Sequence, residues 1–290
     1  MSYTLRHKGK LVVVLAGYLK EKYTKYMKTI KSKLKQLKQD VMNPRFSVTS
    51  TNLKLKSFGS DYGGWVFADS ESLKSSIILS CGLGEDASFD VEIAEEYGLK
   101  VVIVDPTPRA LRHFSQIMTH LGRKKTHDYF TGGKQSVSSY NLENLAEYNF
   151  KIIPKAIWVS DLPVRFYSPP IAEHVSHSIL NYQNNYSVDT PYIEVEAITM
   201  KQIIEGESLQ DIPLLKLDIE GAEVEVIINF LNEGIFPEQI LVEFDELHVP
   251  SLKARQRIIS CHKKLIDNDY VLVNISGSNY LYLSKKAFVI

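Results

Sequence analysis

The chain has 290 residues, 34 Lys/Arg against 34 Asp/Glu, and 44% hydrophobic residues, the composition of a soluble globular protein with one large core. Two cysteines, Cys81 and Cys261, exclude a disulfide framework and a cysteine-based metal site, and they make a reducing, cytoplasmic setting the expectation. The zero net charge is unevenly spread: residues 1–40 hold 11 Lys/Arg and 2 Asp/Glu, so the remainder is acidic, which opposes binding of nucleic-acid phosphates.

The apolar run from Leu11 to Ala16 is too short to cross a bilayer, which needs about 20 residues, and no small-residue cleavage site follows it. Neither a membrane span nor export is expected. From Leu15 to Val41 apolar residues recur every three or four positions among lysines, which predicts a long basic amphipathic helix within residues 1–43. Such a face packs on its own domain or on a second copy, and it also suits peripheral contact with anionic lipid. Asn43-Pro44 ends it. Residues 44–76 read as a β-rich lead-in, with turns at Phe58-Gly59-Ser60-Asp61 and Tyr62-Gly63-Gly64-Trp65 between short strands that feed the main sheet.

Ile77 to Asp105 then reads as buried strand, glycine turn, helix and second strand ending on a carboxylate. Gly82 and Gly84 permit a tight turn and close backbone approach to a ligand. Asp105, 21 residues after Gly84, stands where an acid on the second strand reaches ribose hydroxyls. Gly82-Leu83-Gly84-Glu85-Asp86-Ala87 also fits the dinucleotide pattern, but Glu85 and Asp86 would repel a pyrophosphate at the helix N-terminus. S-adenosylmethionine carries ribose and adenine with a sulfonium and an ammonium in place of phosphates, so the loop favours it over NAD. The same two acids also complement the dipole of the helix that follows.

Strands and helices continue to alternate: helix Arg109–Leu121, strand Ile152–Val159, a short paired strand Arg165–Tyr167, strand Tyr192–Ile198 running into helix Met200–Ile204, strand Leu214–Leu217, helix Ala222–Leu231, strand Ile240–Phe244 and helix Ser251–Ile266. Tyr270–Asn274 and Tyr280–Leu283 close the series as a hairpin. The pattern predicts an α/β domain over residues 77–290 with a doubly wound, mostly parallel sheet and an antiparallel edge, whose ligand site lies beyond the strands' carboxyl ends. The polar, Tyr- and His-containing stretch from Phe166 to Asp189 is a candidate lid.

Asp218, Glu220 and Glu223 fall within six positions at a strand-to-helix junction, with Gly221 permitting a sharp turn. Like charges this close favour either a bound cation or a carboxyl poised to take a proton. Asp218, Glu220 and His248 are the candidate catalytic groups, with helix capping the simpler account of Glu223. Asp218, Glu220 and Glu243 would suit Mg²⁺, yet no His/Asp/Glu spacing demands a metal and none is assigned.

The segment LLKLDIEGAEVEVI resembles the hallmark of the FkbM-like S-adenosylmethionine-dependent methyltransferases. CGLGEDASFD, VVIVDPTPRAL, IIPKAIWVSDLPVRFY, IEVEAITM and ILVEFDE extend the likeness in the family's order from Ile77 to Glu246. The resemblance implies the class I, Rossmann-like seven-stranded methyltransferase sheet and O-methylation of a small-molecule or glycan hydroxyl, often on a sugar. It implies Gly82, Gly84 and Asp86 at the methionine end of the cofactor, Asp105 at the ribose, and Ala156, Ile157 and Asp161 around the adenine. Ser80-Cys81 followed by Glu85-Asp86 departs from the acid and further glycines that many members carry in the first turn. Two rival readings stay open at this point, an NAD-dependent oxidoreductase and an inactive methyltransferase-like scaffold. No Asn/Asp-Pro-Pro-Tyr/Phe motif for base amino groups follows the strand before Asp218.

Overall fold

The computed structural model describes residues 22–34, 41–167, 191–248 and 250–288. The apolar run at Leu11, positions 35–40 of the basic helix, and the expected lid from residue 168 to 189 lie outside them. Residues 22–34 form helix α1, on which Tyr23, Tyr26 and Leu34 stand exposed. A hairpin of β1 (Leu55–Phe58) and β2 (Trp65–Ala68) precedes β3 (Ile77–Cys81), α2 (Ser88–Tyr97), β4 (Lys100–Val104), α3 (Pro108–His120) and β5 (Phe150–Ile153). Four short strands follow: β6 (Ala156–Ile157), β7 (Val164–Tyr167), β8 (Tyr192–Val195) and β9 (Ala197–Ile198). The chain continues through α4 (Met200–Glu207), β10 (Leu215–Leu217), α5 (Glu223–Asn232), β11 (Gln239–Glu243), α6 (Leu252–Asp267), β12 (Tyr270–Ser276) and β13 (Asn279–Ser284).

Seven strands build the central sheet in the order β12-β13-β11-β10-β3-β4-β5. The pairs from β11 to β5 are parallel, and β13 runs antiparallel to both its neighbours. The strands are apolar at nearly every position because both faces are covered. Ile78, Val101, Ile103 and Leu241 pack with Phe89 and Ile93 of α2 and Ala110 and Ile117 of α3. Leu79, Val102, Leu217 and Val242 pack on the other face with Met200 of α4, Ile227 of α5 and Ile258 of α6. Local signals start the helices where side chains can satisfy free N–H groups: Thr107 caps α3 ahead of Pro108, and Thr199 and Gln202 cap α4 reciprocally.

Three expectations change. The strand expected from Ile152 to Val159 breaks into β5 and β6, because Pro154 has no N–H to donate to a ladder. The strand expected from Tyr192 to Ile198 splits into β8, antiparallel to β7, and β9, parallel to β6. The lead-in hairpin pairs only with itself and lies against the main sheet, where Trp65, Phe67 and Leu73 join the core beneath α2. Buried Gln239 of β11 fastens it by accepting from Ala68 N at 2.9 Å and donating to Ala68 O at 3.3 Å. Among the described residues no helix is long and apolar enough to cross a membrane.

Candidate functional site

After β3 the chain moves across the sheet to β4 and β5, whereas β10 and β11 lie on the other side of β3, so the carboxyl ends of β3 and β10 border a crevice. Gly82 makes this junction possible. Its φ is +89°, and a Cβ there would stand 1.8 Å from the Asp218 carbonyl oxygen, so a side chain would collide with the end of β10. Gly84, at φ +57°, has no non-neighbouring atom of the described residues within 4 Å of where its Cβ would be, which leaves open space over the turn among them.

The crevice has a volume of about 380 Å³. Gly82, Gly84, Asp86, Asp105, Ala156, Ile157, Asp218, Glu220 and His248 all line it. The described structure thus brings nine of the ten sequence-selected residues to one place. Asp161 is the exception: it is exposed, lies outside the lining and accepts from Gln202 Nε2 at 3.2 Å. The break at Pro154 shortens the strand end on which its placement relied.

Two of the selected acids have structural partners in place of an open aspect. Asp86 accepts from Ser60 Oγ at 2.5 Å and from Ser88 N at 2.9 Å, joining the lead-in turn to the start of α2. Asp105 Oδ2 accepts from the N–H groups of Leu83 and Gly84, and its Oδ1 from Thr107 N and Oγ1. Those four bonds fill the lone pairs of the carboxylate, so Asp105 holds the glycine turn, and a ribose contact through it requires one of them to exchange. Glu85 is ion-paired with Lys134 at 3.2 Å and lies 3.9 Å from Arg109. The charge of Glu85 is thus partly balanced, while Asp86 is held by the neutral donors Ser60 and Ser88.

Four more acids, Asp218, Glu220, Glu243 and Asp245, line the cleft at and beyond the ends of β10 and β11. Glu220 (φ +58°) and Gly221 (φ +95°) turn the chain sharply, which sets Asp218 and Glu220 on the wall. Glu223, fully buried, accepts from Ile219 N at 2.8 Å and Gly221 N at 3.2 Å and so holds the turn that precedes α5, in place of the helix cap expected of it. Desolvation, reinforced by Glu243, pushes the Asp218 pKa well above the ordinary carboxylate range, with Lys216 pulling the other way. Desolvation and the nearby Glu223 do the same to Asp245. At Glu243 burial also acts upward, but hydrogen bonds from His248 and Ser278 outweigh it and its pKa is lowered.

His248 is half exposed and shares a 3.1 Å hydrogen bond with Glu243 Oε1, which also accepts from Ser278 Oγ at 2.7 Å. Glu243, Asp245 and His248 each bring a ligand atom within 4.8 Å of the other two, making them the described group that could hold a metal.

Sequence reasoning missed several wall residues. Lys216, 3% exposed, donates from Nζ to Gly82 O at 2.5 Å and lies 5.7 Å from the Trp65 ring centre. Its signal was a lone lysine inside an otherwise apolar strand. Tyr62 and Trp65 reach the cleft from the lead-in turn, and Asn279 from the closing hairpin. The adjacent Gly63 and Gly64 mark that turn: a Cβ on Gly63 would meet the Asp86 carboxylate at 2.7 Å.

Over residues 84–262, more than half of the chain, the sequence matches the model of the methyltransferase FkbM domain family. No curated protein and no solved structure matches it significantly.

Proposed function

Because this chain belongs to the methyltransferase FkbM domain family, we propose that it is a methyl-transfer enzyme that uses S-adenosylmethionine to O-methylate a hydroxyl of a sugar or sugar-bearing metabolite. The observation that carries the choice of cofactor is the carboxylate wall of Asp218, Glu220, Glu243 and Asp245, which lines the same cleft of nucleoside size as the glycine turn. A pyrophosphate would meet that wall unfavourably, whereas a cationic amino-acid tail is drawn to it. The residues present fit such a ligand: open space over Gly84, apolar Ala156, Ile157 and Phe166 beyond β4, and acids beyond β10.

When bound, S-adenosylmethionine supplies an electrophilic methyl group on a positively charged sulfur. The protein's share is to hold the acceptor oxygen in line and receive its proton. Holding the reacting atoms in near-attack geometry supplies roughly 7–11 kcal/mol of barrier reduction. We assign the proton to Asp218, which lines the cleft and whose raised pKa brings it nearer working pH than an ordinary aspartate. Glu220 stands beside it, and His248 is turned to Glu243.

Calorimetric titration of the full chain with S-adenosylhomocysteine and, separately, NAD tests the reading. Micromolar binding of the former, weakened at least tenfold by Asp105→Asn through loss of the glycine-turn geometry, is the expected result. Binding of NAD in its place would overturn the cofactor. A screen of glycosides with a labelled methyl donor then identifies the acceptor.

A further inference from the structure

We propose that Glu243, Asp245 and His248 form a binding site for one divalent transition-metal ion on the cleft wall. The three residues occupy six positions of the chain, from the last residue of β11 through the single helical turn that follows it, and each presents a ligand atom within 4.8 Å of the others. His248 Nε2 and Glu243 Oε1 stand 3.1 Å apart. Two donors each roughly 2.1 Å from one ion, at angles between 90° and 110°, lie roughly 3.0–3.4 Å from each other, so this pair already has the spacing of neighbouring ligands.

The second observation is independent of that spacing. Asp245 is 5% exposed, lines the cleft, and has an Oδ2 with no hydrogen-bond partner among the described residues. A buried carboxylate oxygen without a donor is costly, and a cation at the cleft wall would satisfy it. Ser278 Oγ meanwhile donates to the same Glu243 Oε1, the kind of support that orients a carboxylate ligand.

Two carboxylates and one imidazole define the class of ion. Oxygen-only sites suit Mg²⁺ and Ca²⁺, whereas an imidazole in the set favours Mn²⁺ or Zn²⁺. Three protein ligands leave positions for water or for substrate oxygens on the cleft side. If the methyl-transfer reading holds, the site explains how a weakly acidic sugar hydroxyl is activated. The ion would lower the hydroxyl's pKa and its proton would pass to Asp218. The freed oxygen pair would form the new C–O bond as the S–CH₃ bond breaks, its electrons going to sulfur to leave a neutral thioether. That role rests on the proposed function; binding of the ion does not, and it can be measured with neither methyl donor nor acceptor present.

The experiment is titration of chelator-stripped, full-length protein with MnCl₂, reading free aqueous Mn²⁺ by electron paramagnetic resonance. One saturable ion per chain, with affinity reduced at least tenfold in both Asp245→Asn and His248→Gln, is expected; Zn²⁺ should displace the Mn²⁺. Asp128→Asn, on an exposed loop, serves as the control that leaves binding unchanged. No saturable site in the wild type, or one that survives both substitutions, overturns the proposal. Should Asp245→Asn fail to fold, as judged by its thermal transition, His248→Gln decides alone, since that side chain is 53% exposed. Loss of S-adenosylhomocysteine binding with Mn²⁺ uptake intact would refute the methyl-transfer reading and leave the metal site standing.

Discussion

Gly82 illustrates how much one residue decides here. Any side chain at φ +89° is strained by about 1–3 kcal/mol, and at this position its Cβ also meets the Asp218 carbonyl. Gly82→Ala should therefore lose more than that strain in urea unfolding, whereas Gly84→Ala, which faces open space, should lose only the conformational part. Lys216 acts through charge. It holds down a pKa at Asp218 that desolvation raises, so Lys216→Met should move the rising limb of the rate–pH profile to higher pH. Asp218→Asn should cost roughly 10²–10⁴ in kcat while S-adenosylhomocysteine still binds. Were that variant to retain full kcat, the proton acceptor would have to lie elsewhere. Gly82 and Asp218 were legible in the sequence because glycine and acid at strand ends carry a direct steric or electrostatic meaning. The occupation of Asp86 and Asp105 was not, since their partners Ser60, Leu83 and Thr107 become neighbours only once the chain folds.

Among elements, the turn from β10 into α5 concentrates the most stress. Glu223 anchors it through two N–H groups, and Glu223→Ala would leave both without an acceptor, at about 1–3 kcal/mol each. Desolvation raises the pKa of Glu223, with Glu246 adding to it, and desolvation with Glu243 raises that of Asp218. Both bind a proton more tightly folded than unfolded, so their contribution to stability is complete below the ordinary carboxylate range and is lost as pH rises through their raised values. The melting temperature, measured in chelator, should accordingly fall as pH rises above the ordinary carboxylate range, and Glu223→Gln should flatten part of that slope. The alternation of strands and helices was readable because each strand is apolar on both faces. The division of the segments around β6 and β9 was not: short β-branched runs look continuous until their partners are known, and only Pro154 announced a break.

For the whole molecule, the family match begins at residue 84, yet the cleft does not. A chain cut to residues 84–262 would lack β3, the strand between β10 and β4, both strands of the closing hairpin, and the wall residues Tyr62, Trp65, Gly82 and Asn279. Such a fragment is expected to show no cooperative thermal transition, whereas residues 44–290 should keep one, because Phe46, stacked on His262 with ring centres 3.9 Å apart, and the hairpin fastened by Gln239 pack against the two clusters that cover the sheet. A cooperative transition in the shorter piece would mean that β3 is dispensable.

The walls of that cleft are drawn from Tyr62 at one extreme and Asn279 at the other. On a ribosome the first wall emerges more than two hundred residues before the last, so the cleft's lining is complete only once β13 has been inserted between β11 and β12. Capture of the ligand then comes after synthesis of the domain, and from that moment the ligand tightens the first-made and last-made parts together, favouring the finished fold over every incomplete one.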